Sequence, residues 1–197
     1  MSHLNPKIVV LAGPNGAGKS TAASDLLRGA LKVNEFVNAE TMAQGLSVFS
    51  PEEVSFQAGR AMLQRIHELA KKRCDFAFET TLASRSFRQM IVNLKQRSNY
   101  QSHLIFLWLQ NPDLALARVK NRVAMGGHHV PEDIVRRRYV SGLWNFFNLY
   151  LPIMDNWYFY DNSNEEKPTL ISKGCKTEIR YMTKPEIWEK LKEQYYE

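Results

Sequence analysis

Gly13-Pro14-Asn15-Gly16-Ala17-Gly18-Lys19-Ser20 matches the pattern G-x-x-x-x-G-K-[ST] at every fixed position. Such a loop works in one setting, between the end of a buried strand and the start of a helix. The flanks supply that setting. Ile8-Val9-Val10-Leu11-Ala12 is a continuous apolar run that reads as a buried parallel strand, and Thr21 to Arg28 reads as a helix. The glycines let backbone N–H groups turn inward around a di- or triphosphate, and the helix start adds unpaired donors and the positive end of its dipole. Lys19 can reach the outer phosphates, and the Ser20 hydroxyl can coordinate Mg²⁺. Gly13, Pro14, Asn15, Gly16, Ala17, Gly18, Lys19, Ser20 and Thr21 are therefore the expected nucleotide-binding set.

That loop commits the chain to an open, mostly parallel α/β sheet, and the rest of the sequence is consistent with it. The 197 residues are 44% hydrophobic and 23% charged, an ordinary globular balance that reads as a single domain over 1–197. No apolar run approaches a membrane span, and Cys74 and Cys175 lack metal or disulfide spacing, so a cytoplasmic setting is expected. A net charge of +6 favours polyanionic ligands without separating nucleotide from nucleic acid.

Taken in order, Glu35 to Ala39 reads as a short second strand that delivers Glu40 to the phosphate-loop edge, where ligands sit in open α/β sheets. Gly45 to Phe49 reads as a loop, and Ser50-Pro51-Glu52-Glu53 as a capping box opening a helix with Val54, Ala58, Ala61, Met62, Ile66 and Leu69 on one face. Phe76-Ala77-Phe78 is a third strand that ends in Glu79-Thr80-Thr81, which makes Glu79 a second candidate acid beside Mg²⁺. Ser86 to Arg97 is helical. His103 to Leu109 is the longest apolar run and must be central in the sheet, and Asn111-Pro112-Asp113 starts the next helix. Trp144, Phe146, Phe147 and Tyr150 read as helix packing. Asn156 to Tyr160 is a fifth strand, Thr169–Ser172 and Thr177–Tyr181 form an edge hairpin around Gly174, and a last helix begins at Pro185.

From Arg118 to Arg138 the chain carries six cations against two acids, with Gly126-Gly127-His128-His129 in the middle. Two helices joined by a glycine turn and bearing arginines make a basic lid over approximately 118–138. Guanidinium forks suit the oxygens of a phosphoryl group in transfer. His128 and His129 have no neighbours with metal-ligand spacing.

A phosphate loop without an Asp-ended central strand, with two carboxylates and an arginine lid, is the layout of a small kinase. Phosphoryl transfer asks for Mg²⁺, cations over the γ-phosphate and a base on the acceptor hydroxyl. The signature and glutamine elements of transporter-type ATPases, which also use a GPNGxGKST loop, are absent. A polynucleotide or nucleoside kinase would use the same parts, and nucleic acid ranks behind a small-molecule acceptor. A non-catalytic ATP-binding partner in a toxin–antitoxin pair is the third reading.

These residues also carry a resemblance. Gly13–Thr21, Phe36-Val37-Asn38-Ala39-Glu40, Phe78-Glu79-Thr80-Thr81-Leu82, Arg122-Val123 with Gly126-Gly127-His128, Val130-Pro131-Glu132 with Arg136-Arg137-Arg138-Tyr139, and Tyr160-Asp161-Asn162-Ser163 resemble the zeta-toxin-like kinases, closest to the compact bacterial branch labelled as predicted ATPases. The resemblance implies a three-layer phosphate-loop kinase fold with a helical arginine lid and a small C-terminal hairpin. It also implies transfer of the γ-phosphate of ATP or GTP, with Mg²⁺, to a hydroxyl of a UDP-N-acetyl sugar, and a small antitoxin protein as partner. By motif match, Lys19 and Ser20 hold phosphate and metal, Asn162 lies on the nucleotide, and Glu40 is the base. Glu79, Thr81 and Arg85 contact the acceptor, Glu79 lies near the metal, and Arg122, Arg136 and Arg137 form the phosphate clamp. The family's base is usually Asp, where this chain has Glu40, one methylene longer. A displacement on the order of an ångström can cost about a hundredfold in rate.

Overall fold

The computed structural model describes residues 5–47, 54–127, 129–164 and 166–197. The proposed capping box at Ser50-Pro51-Glu52-Glu53 and the histidine at 128 lie outside them. Seven strands form one sheet in the order β2-β3-β1-β4-β5-β6-β7. They are β1 Lys7–Ala12, β2 Glu35–Val37, β3 Phe76–Thr80, β4 Gln101–Trp108, β5 Asn156–Asp161, β6 Thr169–Cys175 and β7 Glu178–Met182. The first five pair in parallel, and β6 and β7 add an antiparallel edge hairpin. The long apolar run, β4, is the middle strand of the seven.

Side chains on both faces of β1 and β4 are buried, from Ile8 to Ala12 and from Leu104 to Trp108, so both faces of the sheet are covered. The covering helices are α1 Lys19–Ala23, α2 Ala39–Leu46, α3 Ser55–Lys71, α4 Ser86–Ser98, α5 Pro112–Ala124, α6 Glu132–Asn145 and α7 Pro185–Tyr195. Helix α1 continues into a π-wound segment, Ser24–Leu31. On α3 the apolar spacing buries Ala58, Met62, Ile66 and Leu69. Helix α5 begins as expected, with Asn111 accepting from the Leu114 N–H and proline in the first turn. Beneath the hairpin, Trp157 and Trp188 stack with ring centres 5.1 Å apart, and Phe146 and Phe147 pack around them. Gly174 belongs to β6 and not to the turn, pairing with Trp157 and Ile179, and it must be glycine because a Cβ there would come within 2.5 Å of the Trp157 ring.

Two features of the topology place the site. From β1 the chain moves to one side of the sheet and from β3 to the other, so the carboxyl ends of β1 and β3 flank the point where strand order reverses. The β1–β3 register pairs Leu11 with Glu79 and Ala12 with Thr80, which carries β3 two residues beyond the expected strand and sets Glu79 beside the loop that follows Ala12.

The second strand differs from expectation. It ends at Val37, and Asn38 takes an extended conformation while its Oδ1 accepts from the N–H groups of Glu40 and Thr41. An asparagine in that role starts a helix, so α2 occupies residues assigned to strand and loop. Glu40 therefore lies in the first turn of α2 rather than at a strand end.

Candidate active site

The phosphate loop is locked against the central strand. Gly13 has φ +144°, and a Cβ there would lie 2.3 Å from the Leu107 carbonyl oxygen of β4, so only glycine fits. At the other end Gly18, with φ +72°, turns the chain into α1. Lys19 is buried, and its Nζ donates to the carbonyls of Gly13 and Pro14, each at 2.9 Å. It lies 3.7 Å from Glu79 Oε1. Burial pushes the Lys19 ammonium below the usual lysine range, and the Glu79 carboxylate works against that shift.

Glu79 is the hub of the next layer. Its Oε2 accepts from Ser20 Oγ at 2.7 Å and from Asn38 Nδ2 at 2.7 Å, and Asn38 Nδ2 also lies 3.3 Å from Ser20 Oγ. Asn38 thus caps α2 with its oxygen and orients Glu79 with its nitrogen. Hydroxyl and carboxylate oxygens are the hard donors that Mg²⁺ takes alongside phosphate and water, so this pair fits that ion. No group of three or more His, Cys, Asp or Glu side chains that could hold a metal by themselves occurs among the described residues.

Across the opening, Arg122 on α5 places Nη1 2.9 Å from one oxygen of Glu40 and 3.0 Å from the other. Lys19, Glu79, Thr81, Glu40 and Arg122 line one cavity of about 350 Å³, together with Asn15, Asn38, Met62, Phe87, Val130 and Arg138. The buried Oδ1 of Asn15 has no hydrogen-bond partner among the described residues.

A second cavity of about 760 Å³ opens on the other side of α1, lined by Gly18, Thr21, Leu26, Arg118, Tyr160 and Asn162 among others. Asn162 Nδ2 donates to the Ala17 carbonyl at 2.8 Å, which ties the phosphate loop to the end of β5. Arg118 donates to the carbonyls of Asn162 and Ser163 at 2.7 and 2.8 Å. Thr21 and Asn162, expected on the nucleotide, meet in this space.

Three expected site residues lie elsewhere. Arg136 is exposed and bonds to Asp113 and Glu132 on the outer side of α6, and Arg137 is exposed and does not line the cavity. Of the three consecutive arginines 136–138, Arg138 is the one that lines it. Arg85 is exposed, and its guanidinium sits 5.0 Å from the centre of the Trp144 ring, outside the cavity lining. The residues that sequence reasoning passed over are Asn38, Phe87 and Arg138. The phase of α6 was the available signal for Arg138. Val135, Tyr139 and Gly142 are buried at helical spacing, and a residue three after Val135 flanks that stripe.

Comparison with known proteins agrees with this architecture. A family model described as an AAA domain matches residues 8–138. An uncharacterized protein of Haemophilus influenzae is 32% identical over 133 residues, covering 68% of this chain and 92% of that one. The AvrRxo1-ORF1:-ORF2 structure with ATP superposes with a TM-score of 0.75 at 16% identity over 96% of this chain. The PezAT toxin–antitoxin structure of Streptococcus pneumoniae gives 0.64 at 15% identity over the whole chain and 80% of that one. The chain spans 64% of the length of the AvrRxo1 chain it matches, and at these identities the likeness is one of fold. By the match over residues 8–138 the chain belongs to the AAA domain family, and it has a phosphate-loop kinase fold, which implies nucleotide binding.

Proposed function

We propose that this protein is a phosphotransferase that moves the γ-phosphate of ATP or GTP to a hydroxyl of a small molecule, working as one domain with residues 118–138 as its lid. One observation carries the reading: Lys19, Glu79 and the Glu40–Arg122 pair line a single cavity beside the phosphate loop, and Glu79 at its wall accepts from the Ser20 hydroxyl. The base and sugar of the nucleotide take the second cavity, between Thr21, Arg118 and Asn162. Ser20 Oγ, with Glu79 behind it, would hold Mg²⁺, which neutralises charge on the phosphates.

In the transfer, the acceptor oxygen forms its bond to the γ-phosphorus as the bond to the bridging oxygen of the nucleoside diphosphate breaks. The bridging electrons leave with the diphosphate. The acceptor proton goes to the Glu40 carboxylate. Lys19 and Arg122 supply positive charge where negative charge gathers, in a pocket partly screened from water.

Within the class of small-molecule hydroxyl acceptors, a UDP-N-acetyl sugar is the candidate that the resemblance to zeta toxins implies, and a compact acceptor is the alternative. PezAT is a toxin–antitoxin system and AvrRxo1-ORF1 is seen with ORF2, which supports proposing a small antitoxin protein as partner here. The test is a radiolabelled γ-phosphate transfer screen against nucleotide sugars, nucleosides, small alcohols and short RNAs. Acceptor-dependent product that disappears in Lys19→Ala supports the reading. Tight nucleotide binding without transfer to any acceptor would reduce the protein to a binding module.

A further inference from the structure

Five charged side chains line the cavity beside the phosphate loop: Lys19, Glu40, Glu79, Arg122 and Arg138. Four of them form two pairs, Lys19 with Glu79 and Arg122 with Glu40. Arg138 is left over. It is half-buried, and it makes no hydrogen bond or ion pair among the described residues. Burial and the neighbouring Arg137 both work against its charge and hold its guanidinium below the usual arginine range. An unpaired cation in such a place is costly unless something in the site's working state compensates it.

The backbone fixes where that cation stands. Tyr139 Oη donates to the Leu109 carbonyl and accepts from Trp108 Nε1, which pins α6 to the end of β4. One turn beyond Arg138, on the same helix face, Gly142 packs so closely on the end of β3 that a Cβ would lie 2.6 Å from the Thr81 carbonyl oxygen. That packing holds α6 against the cavity wall, and Arg138 shares the cavity lining with Thr80 and Thr81. Phe87, Met62 and Val130 add apolar surface to the same lining. The volume is a further constraint. About 350 Å³ is near the bottom of the roughly 300–1,000 Å³ range of small-molecule sites, and part of it must hold the phosphoryl group in transfer.

From these observations we infer that Arg138 is the anchor for an anionic group on the acceptor, and that the acceptor is a compact alcohol carrying a phosphate or carboxylate rather than a nucleotide sugar. Glu40 then meets the hydroxyl while Arg138 holds the acid, and the distance between them selects which hydroxyl reacts. This rests on reading the cavity as the acceptor side of a phosphotransferase.

The test is calorimetric titration of protein saturated with Mg²⁺ and a non-hydrolysable ATP analogue. The probes are matched pairs, glucose 6-phosphate against glucose, uridine 5′-monophosphate against uridine and gluconate against glucose, with UDP-N-acetylglucosamine as the large comparison. The expected result is that an anionic member binds and its neutral partner binds about tenfold or more weakly. Arg138→Gln removes that preference, Arg138→Lys keeps part of it, and the affinity for the ATP analogue stays unchanged in both. The phosphate and carboxylate arms show which acid is read. Equal binding of neutral and anionic partners, binding of no compact anion, or preference for UDP-N-acetylglucosamine overturns the inference. So does a loss of analogue affinity in Arg138→Gln with acceptor binding intact, which would assign the residue to the donor phosphates. Failure of the wild-type protein to bind the ATP analogue at all is a different result, which removes the phosphotransferase reading and this inference with it.

Discussion

A single nitrogen, Arg122 Nη1, lies within 3.0 Å of both carboxylate oxygens of Glu40, although 82 residues separate them in sequence. The contact joins α5, in the proposed lid, to the first turn of α2 and holds the proposed base at the cavity wall. Removing a general base costs about 10²–10⁴ in rate while leaving binding nearly intact. Glu40→Gln should therefore lower kcat on that scale with little change in KM for nucleotide or acceptor. Glu40→Asp shortens the reach by a methylene and tests whether the longer acid is matched to its acceptor. If it is, steady-state kinetics will show Asp slowing transfer. Wild-type turnover by Glu40→Gln would move the base assignment to Glu79.

The Asn38 side chain serves two elements, so its loss should show in two measurements. Asn38→Ala removes the acceptor for the Glu40 and Thr41 N–H groups, and caps of this kind contribute about 0.5–2 kcal/mol. It also removes one of the donors to Glu79. Denaturant unfolding should show about 1 kcal/mol of lost stability. Transfer assays across a Mg²⁺ series should show a higher metal requirement, because Glu79 is no longer held toward Ser20. A stability loss with an unchanged Mg²⁺ profile would make Asn38 a cap and nothing more.

The central sheet was readable from the sequence because apolar runs bounded by turn residues have few alternatives. The run around Leu104–Trp108 has nowhere to go but the middle. The phosphate loop was readable for a related reason, since its glycines answer backbone demands that no other residue meets, as Gly13 against Leu107 shows. What sequence could not rank was three consecutive arginines. Charge is the same at Arg136, Arg137 and Arg138, but successive residues on a helix point about 100° apart, and the buried stripe of α6 decides which one faces the cavity. Asn38 was hidden for another reason. Extended backbone at a cap looks like the last residue of a strand, so in sequence the start of α2 reads as strand and Glu40 as a strand-end acid.

Arg118 offers a prediction about the nucleotide side. Its guanidinium bonds to the carbonyls of Asn162, Ser163 and Asn164, and the Asn162 side chain in turn holds the Ala17 carbonyl. Arg118→Ala should loosen the loop after β5 and with it one wall of the larger cavity. Hydrogen exchange should rise at 162–164, and nucleotide affinity should fall by about tenfold, the size of one charge-assisted contact. An unchanged dissociation constant would place the base and sugar of the nucleotide elsewhere.

The last prediction concerns His103, far from the carboxyl ends of the strands. It is 7% exposed on β4, and neither ring nitrogen has a hydrogen-bond partner among the described residues. Burial pushes its pKa below 6.5, Lys7 adds to that, and Asp155 and Asp75 oppose it. The sign follows from linkage. Below about pH 6.5 the unfolded chain takes up a proton at this position and the folded protein does not, so stability falls as pH falls from 6.5 toward the lowered native value. The loss can reach about 1.4 kcal/mol per pH unit across that window. Burial acts to raise the Asp155 pKa, but Lys95 and the Ser102 N–H and hydroxyl together outweigh it and lower the pKa from 3.8, so the contribution of Asp155 is present above that value and is lost only in more acid solution. The two windows are therefore separable. His103→Leu replaces an unsatisfied polar ring with an apolar side chain, which should be neutral or stabilising at pH 8. Urea unfolding at pH 8, 6.5 and 5 should show the wild type weakening over the last interval and the variant holding level. Parallel curves for the two proteins would mean that the buried imidazole is reached by water or a partner in solution and does not set the acid limit.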